Sequence, residues 1–228
     1  RALARARSAS GAVGWGIRTA PRTSPLGGRG QGGSRGPGIG GKLPCVGSTL
    51  APGMLVAAPS LRCPFFNHTV VLLADHGDEG SFGFVVNKRS DVRFRQVLSE
   101  LGLEIETAIP PDAEVMLGGP VSPEAGWIVF DPRDGEWPEE DVIRLAPKVA
   151  VSASLHMLES LAEGRGPSRR MMTLGYAGWG PGQLEDEMRE GSWIPIDLDA
   201  ALMFEVGIDD RWSRGLAALG IDPARVSG

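Results

Sequence analysis

The first 48 residues limit what this chain can fold into. They hold 13 of its 33 glycines, as in the run GGRGQGGSRGPGIGG, spaced among Arg, Ser and Pro with no apolar periodicity. Such a segment cannot bury enough apolar surface to offset the entropy of ordering it. Residues 1–48 therefore read as a disordered Arg/Gly-rich leader, and the folded body is expected within residues 49–228.

The same boundary divides the charge. Arg1, Arg5, Arg7, Arg18, Arg22, Arg29, Arg35 and Lys42 give the leader +8 with no acid, whereas the whole chain, with 23 basic and 28 acidic residues, carries −5. The remaining 180 residues therefore stand at −13. A body that acidic repels the phosphate backbone, which supplies most non-specific affinity for DNA. No helix-turn-helix with a basic second helix is visible either, so direct nucleic-acid binding by the domain is disfavoured. The leader has the Arg and Ser content of a transit peptide but lacks the apolar stretch of a secretory signal. With only Cys45 and Cys63 there is no disulfide framework, and a reducing cytoplasm fits. No run of 18 apolar residues is present to span a membrane.

A body of this length suits one domain with a substantial core. Apolar runs at residues 53–58, 69–74 and 81–87 read as strands, the last two joined by a loop over 76–80. Between 92 and 101, Phe94, Val97, Leu98 and Leu101 recur at helical spacing. Further strands are expected at 115–117, 127–130, within 142–151, at 171–174 and at 193–196. Ser154 offers an N-cap for a helix with Leu155, Leu158, Leu161 and Ala162 on one stripe. Pro181 suits the first position of a helix reaching Arg189, and residues 199–206 and 210–219 close the chain as helices. A hairpin followed by irregularly placed helices, without steady βαβ alternation, gives an α+β class.

The most distinctive segment is GYAGWGPGQLEDEMREG, starting at Gly175, where a strand is expected to enter a glycine-rich turn and then a helix. Helix N-termini can hold anions. Here Glu185, Asp186 and Glu187 would repel a phosphate, and no Walker lysine follows, so tight-turn glycines with a core Trp179 are favoured. Gly118 and Gly119 form a second such turn, best read as closely packed backbone. His68, His76 and His156 lack metal-ligand spacing, and no metal or cofactor is expected. No GxSxG elbow marks a serine nucleophile.

Taken together, PFFNHTVVLLADH, GSFGFVVNK, LGGPV, GYAGWGPGQLEDEMREGSWI and the terminal RW with LGID resemble the AlgH/YqgE family of bacterial proteins over residues 53–222. The resemblance implies a single α+β domain. Its strongly bent, largely antiparallel sheet would partly close into a small barrel flanked by helices, in a cytosolic protein. It implies no established chemistry, and the transcriptional-regulator reading attached to the family gains nothing from an acidic domain.

Asn87, Lys88, Gln183 and Glu185 are the polar candidates for a shared site, with Gly118, Gly119, Gly178 and Trp179 shaping it. The expected function is a non-enzymatic cytosolic protein that binds a small molecule or a protein partner where Asn87, Gly118, Gly119 and Gln183 converge. The alternative is a hydrolase using Glu185 or Glu187. A transcriptional regulator is a second alternative.

Overall fold

The computed structural model describes residues 50–103 and 113–222. The expected leader and Cys45 lie outside the described residues. Strands β1 (Gly53–Ala57), β2 (Val70–Gly77) and β3 (Gly80–Val85) open the fold, followed by β4 (Arg89–Arg93) and helix α1 (Phe94–Glu100). Next come β5 (Glu114–Leu117), β6 (Val121–Phe130), β7 (Ile143–Ala146), β8 (Val149–Ser152) and α2 (Leu155–Ala162). The chain then runs through β9 (Arg170–Trp179), α3 (Gln183–Arg189), β10 (Trp193–Ile196), α4 (Ala200–Phe204) and α5 (Arg211–Ala218).

The strands form one curled, half-barrel sheet in the order β10-β1-β2-β3-β9-β6-β8-β7, with β5 pairing β4 and β9. Only β5 runs parallel to its neighbour β9; the other pairings are antiparallel. β9 is the hub. Its first half lies between β5 and β6, through Val115 opposite Met172 and Trp127 opposite Thr173, and its last residues pair β3, with Ala177 opposite Gly83. Met171 packs into one apolar cluster and Met172 and Leu174 into the other, so β9 is covered on both faces and buried continuously from Met171 to Gly175.

Two apolar clusters fill the two sides. In one, β1, β2 and β3 pack with Trp179, Trp193, Met203, Trp212 and Leu216. In the other, Val97 and Leu98 of α1 and Leu158 and Leu161 of α2 cover Val115, Ile128, Phe130 and Met172. α5 lies close on β1, where the Trp212 indole donates to the Ala57 carbonyl at 2.8 Å.

Several expectations need correction. The loop expected over 76–80 is a two-residue turn, Asp78-Glu79, because pairing persists to Gly77 opposite Gly80. The strand expected at 171–174 runs on into the glycine-rich segment to Trp179, so Gly175 and Gly178 are strand residues and no turn precedes Gly180. Pro181 lies in the turn before α3, whose N-cap is Gly182 with φ of 75°. Leu155 is 41 % exposed, and the buried face of α2 is carried by Met157, Leu158, Leu161 and Ala162. β4 has no apolar alternation to announce it. The Ser154 cap forms as expected, its hydroxyl accepting from the His156 amide at 3.1 Å.

Candidate functional site

The eight residues singled out in the sequence separate into two groups at opposite ends of β3. At its C-terminal end, the Val85 amide donates to the Gly118 carbonyl at 2.8 Å and the Leu117 amide to the Lys88 carbonyl at 2.7 Å, placing Asn87 and Lys88 beside Gly118 and Gly119. At its N-terminal end, Ser81 pairs Trp179 and Phe82 pairs Gly178, with Gln183 and Glu185 just beyond on α3. The groups adjoin along β9, where Gly119 lies against the backbone of Tyr176 and Ala177, next to Gly178, while Ser81 and Val85 stand about 13 Å apart at a strand rise of about 3.3 Å per residue.

Within each group the polar side chains are tied to neighbouring backbone or side-chain groups. Asn87 accepts from the Val70 amide at 2.8 Å and donates to the His68 carbonyl at 2.9 Å, pinning the segment that leads into β2. The Lys88 ammonium donates to the carbonyls of Phe65 at 2.7 Å and Pro64 at 3.3 Å, and sits 4.5 Å from the Phe65 ring centre. Gly119 is required by close approach: a Cβ there would lie 1.9 Å from the Tyr176 carbonyl carbon.

At the other end, the Glu187 carboxylate gathers three donors. Trp193 and Trp179 reach one oxygen through their indole N–H groups at 2.8 and 3.0 Å, and the Gln183 amide reaches the other at 2.8 Å. Gln183 in turn accepts from the Gly180 amide at 3.0 Å. Phe66 completes the cluster, with its ring centre 5.5 Å from Trp193 and 6.3 Å from Trp179. Glu185 faces His76 at 3.6 Å, and the other ring nitrogen of His76 lies 2.8 Å from the Ser81 hydroxyl. Ser81 is 8 % exposed on the paired strand, so this Ser-His-Glu row braces the hairpin against α3.

A concave feature lined by three arginines lies elsewhere, at the start of β9. There the two apolar clusters part around a cleft of about 350 Å³. Met116, Met171, Met172 and Met203, four of the seven methionines in the sequence, share its apolar lining with Phe94, Ile128, Leu161, Phe204 and Ile208, and Arg169, Arg170, Arg211 and Glu114 lie around it. Arg211 is buried. It donates through Nε to the Val206 carbonyl at 3.1 Å and through Nη1 to the Val86 carbonyl. Arg170, half-buried, donates through Nη1 to the Pro167 carbonyl at 2.6 Å. Burial lowers the pKa of both guanidinium groups, an expression of the cost of holding charge away from water. The sequence gives no sign of this cleft: Arg170 and Arg211 look like ordinary charges flanking a strand and opening a helix. Among the described residues, no group of three or more His, Cys, Asp or Glu side chains is placed to hold a metal ion.

Comparison with known proteins follows the same residues. A family model described as AlgH-like matches residues 54–224. A UPF0301 protein of Anaeromyxobacter dehalogenans strain 2CP-C is 42 % identical over 179 residues, covering 77 % of this chain and 90 % of the relative. A UPF0301 protein of Paraburkholderia phytofirmans is 36 % identical over 174 residues, covering 76 % and 90 %. The solution structure of the AlgH protein from Pseudomonas aeruginosa superposes with a TM-score of 0.64 at 29 % identity, over 83 % of this chain and 97 % of that one.

Proposed function

We propose that this chain, which belongs to the AlgH-like family, is a non-enzymatic protein that binds a small ligand in the cleft at the start of β9. The observation that carries this reading is a cleft of about 350 Å³ whose apolar lining includes four methionines. That volume falls in the range of small-molecule sites, and unbranched thioether side chains re-pack around ligands of differing shape. The polar groups of the family motif support the same choice from the other side. Asn87, Lys88, Gln183 and Glu187 are already engaged with backbone carbonyls, amides and indoles, so their chemistry is turned to holding the fold. A cytoplasmic setting agrees with the chain's two cysteines, and among the described residues no helix is long and apolar enough to cross a membrane.

Native mass spectrometry of the full chain, purified without denaturation, tests the reading. A bound small molecule is expected, and it should be lost or weakened when Met172→Trp fills the cleft. A ligand retained at full occupancy by that folded variant would place binding elsewhere and overturn the assignment.

A further inference from the structure

The charges around the cleft are unevenly matched. Glu114, the acid in its lining, is held by Arg89 at 2.6 Å and by Arg93 at 4.0 Å. Arg169 is likewise matched, by Glu205 at 3.2 Å and Asp131 at 3.8 Å. Arg170 and Arg211 differ. Among the described residues neither has a carboxylate within ion-pair distance; their partners are the neutral carbonyls of Pro167, Val206 and Val86.

A guanidinium has five N–H donors, and these contacts occupy one on Arg170 and two on Arg211. The remaining donors belong to side chains that line the cleft. A buried cation without an anion is costly to a fold. Arg211 feels that cost twice, because Arg89 also repels it, with only the shared Glu114 to offset the repulsion. An anion placed among the free donors would offset the cost. The planar fork of arginine suits the paired oxygens of a carboxylate or phosphate.

We infer that the cleft takes a small molecule with two parts: a carboxylate or phosphate group held by Arg170 and Arg211, and an apolar body against Met116, Met171, Met172 and Met203. The inference rests on the ligand-binding reading above and names the ligand's chemical class. Neither part alone uses the whole site, since inorganic phosphate makes no contact with the apolar lining and a neutral hydrocarbon leaves the guanidinium groups unpaired.

The test is calorimetric titration of the full chain near neutral pH with octanoate, octyl phosphate, 1-octanol and inorganic phosphate, repeated at raised salt. Octanoate or octyl phosphate should bind about tenfold or more tightly than 1-octanol or inorganic phosphate, and salt should weaken that binding. Arg170→Met should remove the preference for the anion. Because Arg211 also ties two carbonyls, Arg211→Lys serves as its partner variant, keeping the charge while losing the fork, and should weaken octanoate binding less than Arg170→Met does. Equal binding of 1-octanol and octanoate would overturn the anionic class while leaving ligand binding intact. Absence of binding by all three octyl compounds would overturn both readings. Unchanged octanoate affinity in folded Arg170→Met and Arg211→Lys would overturn the assignment to these arginines.

Discussion

Replacing Glu187 tests whether the GYAGWGPGQLE segment is a structural brace. Its carboxylate accepts from two indoles that are nearly sealed from water, Trp179 at 6 % and Trp193 at 3 % exposure, and from the Gln183 amide. Glu187→Ala leaves both indole N–H groups without their acceptor. At about 1–3 kcal/mol for each stranded donor, and with water reaching the half-exposed site, a net loss of about 3 kcal/mol is expected. For a domain of this size that corresponds to roughly 6–12 °C in Tm.

A charge swap makes the test sharper. In Glu187→Gln the new amide nitrogen faces that of Gln183, and in Gln183→Glu two carboxylates face each other; each single change should cost about 1–2 kcal/mol. In the double variant, the residue at 187 still accepts from both indoles through its oxygen. Its amide donates to the new carboxylate at 183, which also accepts from the Gly180 amide. All four hydrogen bonds survive. The pair should therefore be more stable than the sum of the single losses by about 1 kcal/mol or more. Urea unfolding followed by tryptophan fluorescence and far-ultraviolet dichroism measures the cycle. Additive losses, or a Glu187→Ala variant within about 0.5 kcal/mol of the parent, would refute the reasoning.

Other variants probe separate features. Gly119→Ala should fail to accumulate as folded protein or lose at least about 3 kcal/mol, because its Cβ would meet Tyr176 backbone at 1.9 Å; Gly182→Ala, with φ of 75° and nothing within 4 Å, should lose only about 1 kcal/mol. Soluble yield and Tm distinguish the two. Asn87→Ala removes the partners of the Val70 amide and His68 carbonyl, so it should cost about 1–3 kcal/mol and speed amide exchange at Val70. The buried Asp131 carboxylate has its pKa held below the usual range, first by the Arg133 side chain at 2.6 and 2.9 Å. Its folded pKa lies below its unfolded one, so its contribution is complete above about pH 4 and drains away as pH falls through the folded value. Asp131→Asn should therefore be less stable than the parent by about 1–3 kcal/mol near neutrality, with a gap that narrows below about pH 4 in urea titrations; a constant gap would refute the pairing.

Sequence patterning disclosed elements whose stability is local or whose composition is uniform. The runs at Met54, Val71 and Val85 are apolar without interruption because those strands are buried, and Ser154 acts as the cap its side chain suggests. Patterning misread Gly175 to Trp179, since glycine ordinarily punctuates a chain. Here the small residues let the Gly118-Gly119 backbone lie against β9, a requirement set by a partner more than 50 residues away in sequence. The same limit hid the cleft. The lining of Arg170 and Arg211 together depends on α5 crossing near the start of β9, and nothing next to either residue in the sequence marks it for burial.

This division between frame and cleft bears on what family membership can say about function. The motif by which the chain is recognised is concentrated in the β3 and β9 ends and α3, and its polar groups are engaged in the hydrogen bonds that join them. Another protein holding that motif therefore shares the frame. On the ligand-binding reading proposed above, what it binds depends on the lining of the cleft, here the methionines and Arg170 together with Arg211 of the terminal RW. The net charge of −13 over residues 49–228 gives those arginines added meaning. The long-range field of an acidic surface disfavours anions, so an anion reaches this cleft only through short-range contacts that exceed the repulsion. A ligand with an apolar body adds contacts with the apolar lining to those with the arginines; a bare inorganic anion has the arginine contacts alone. The acidic surface thus sharpens selection for the two-part ligand over the small anions that surround it.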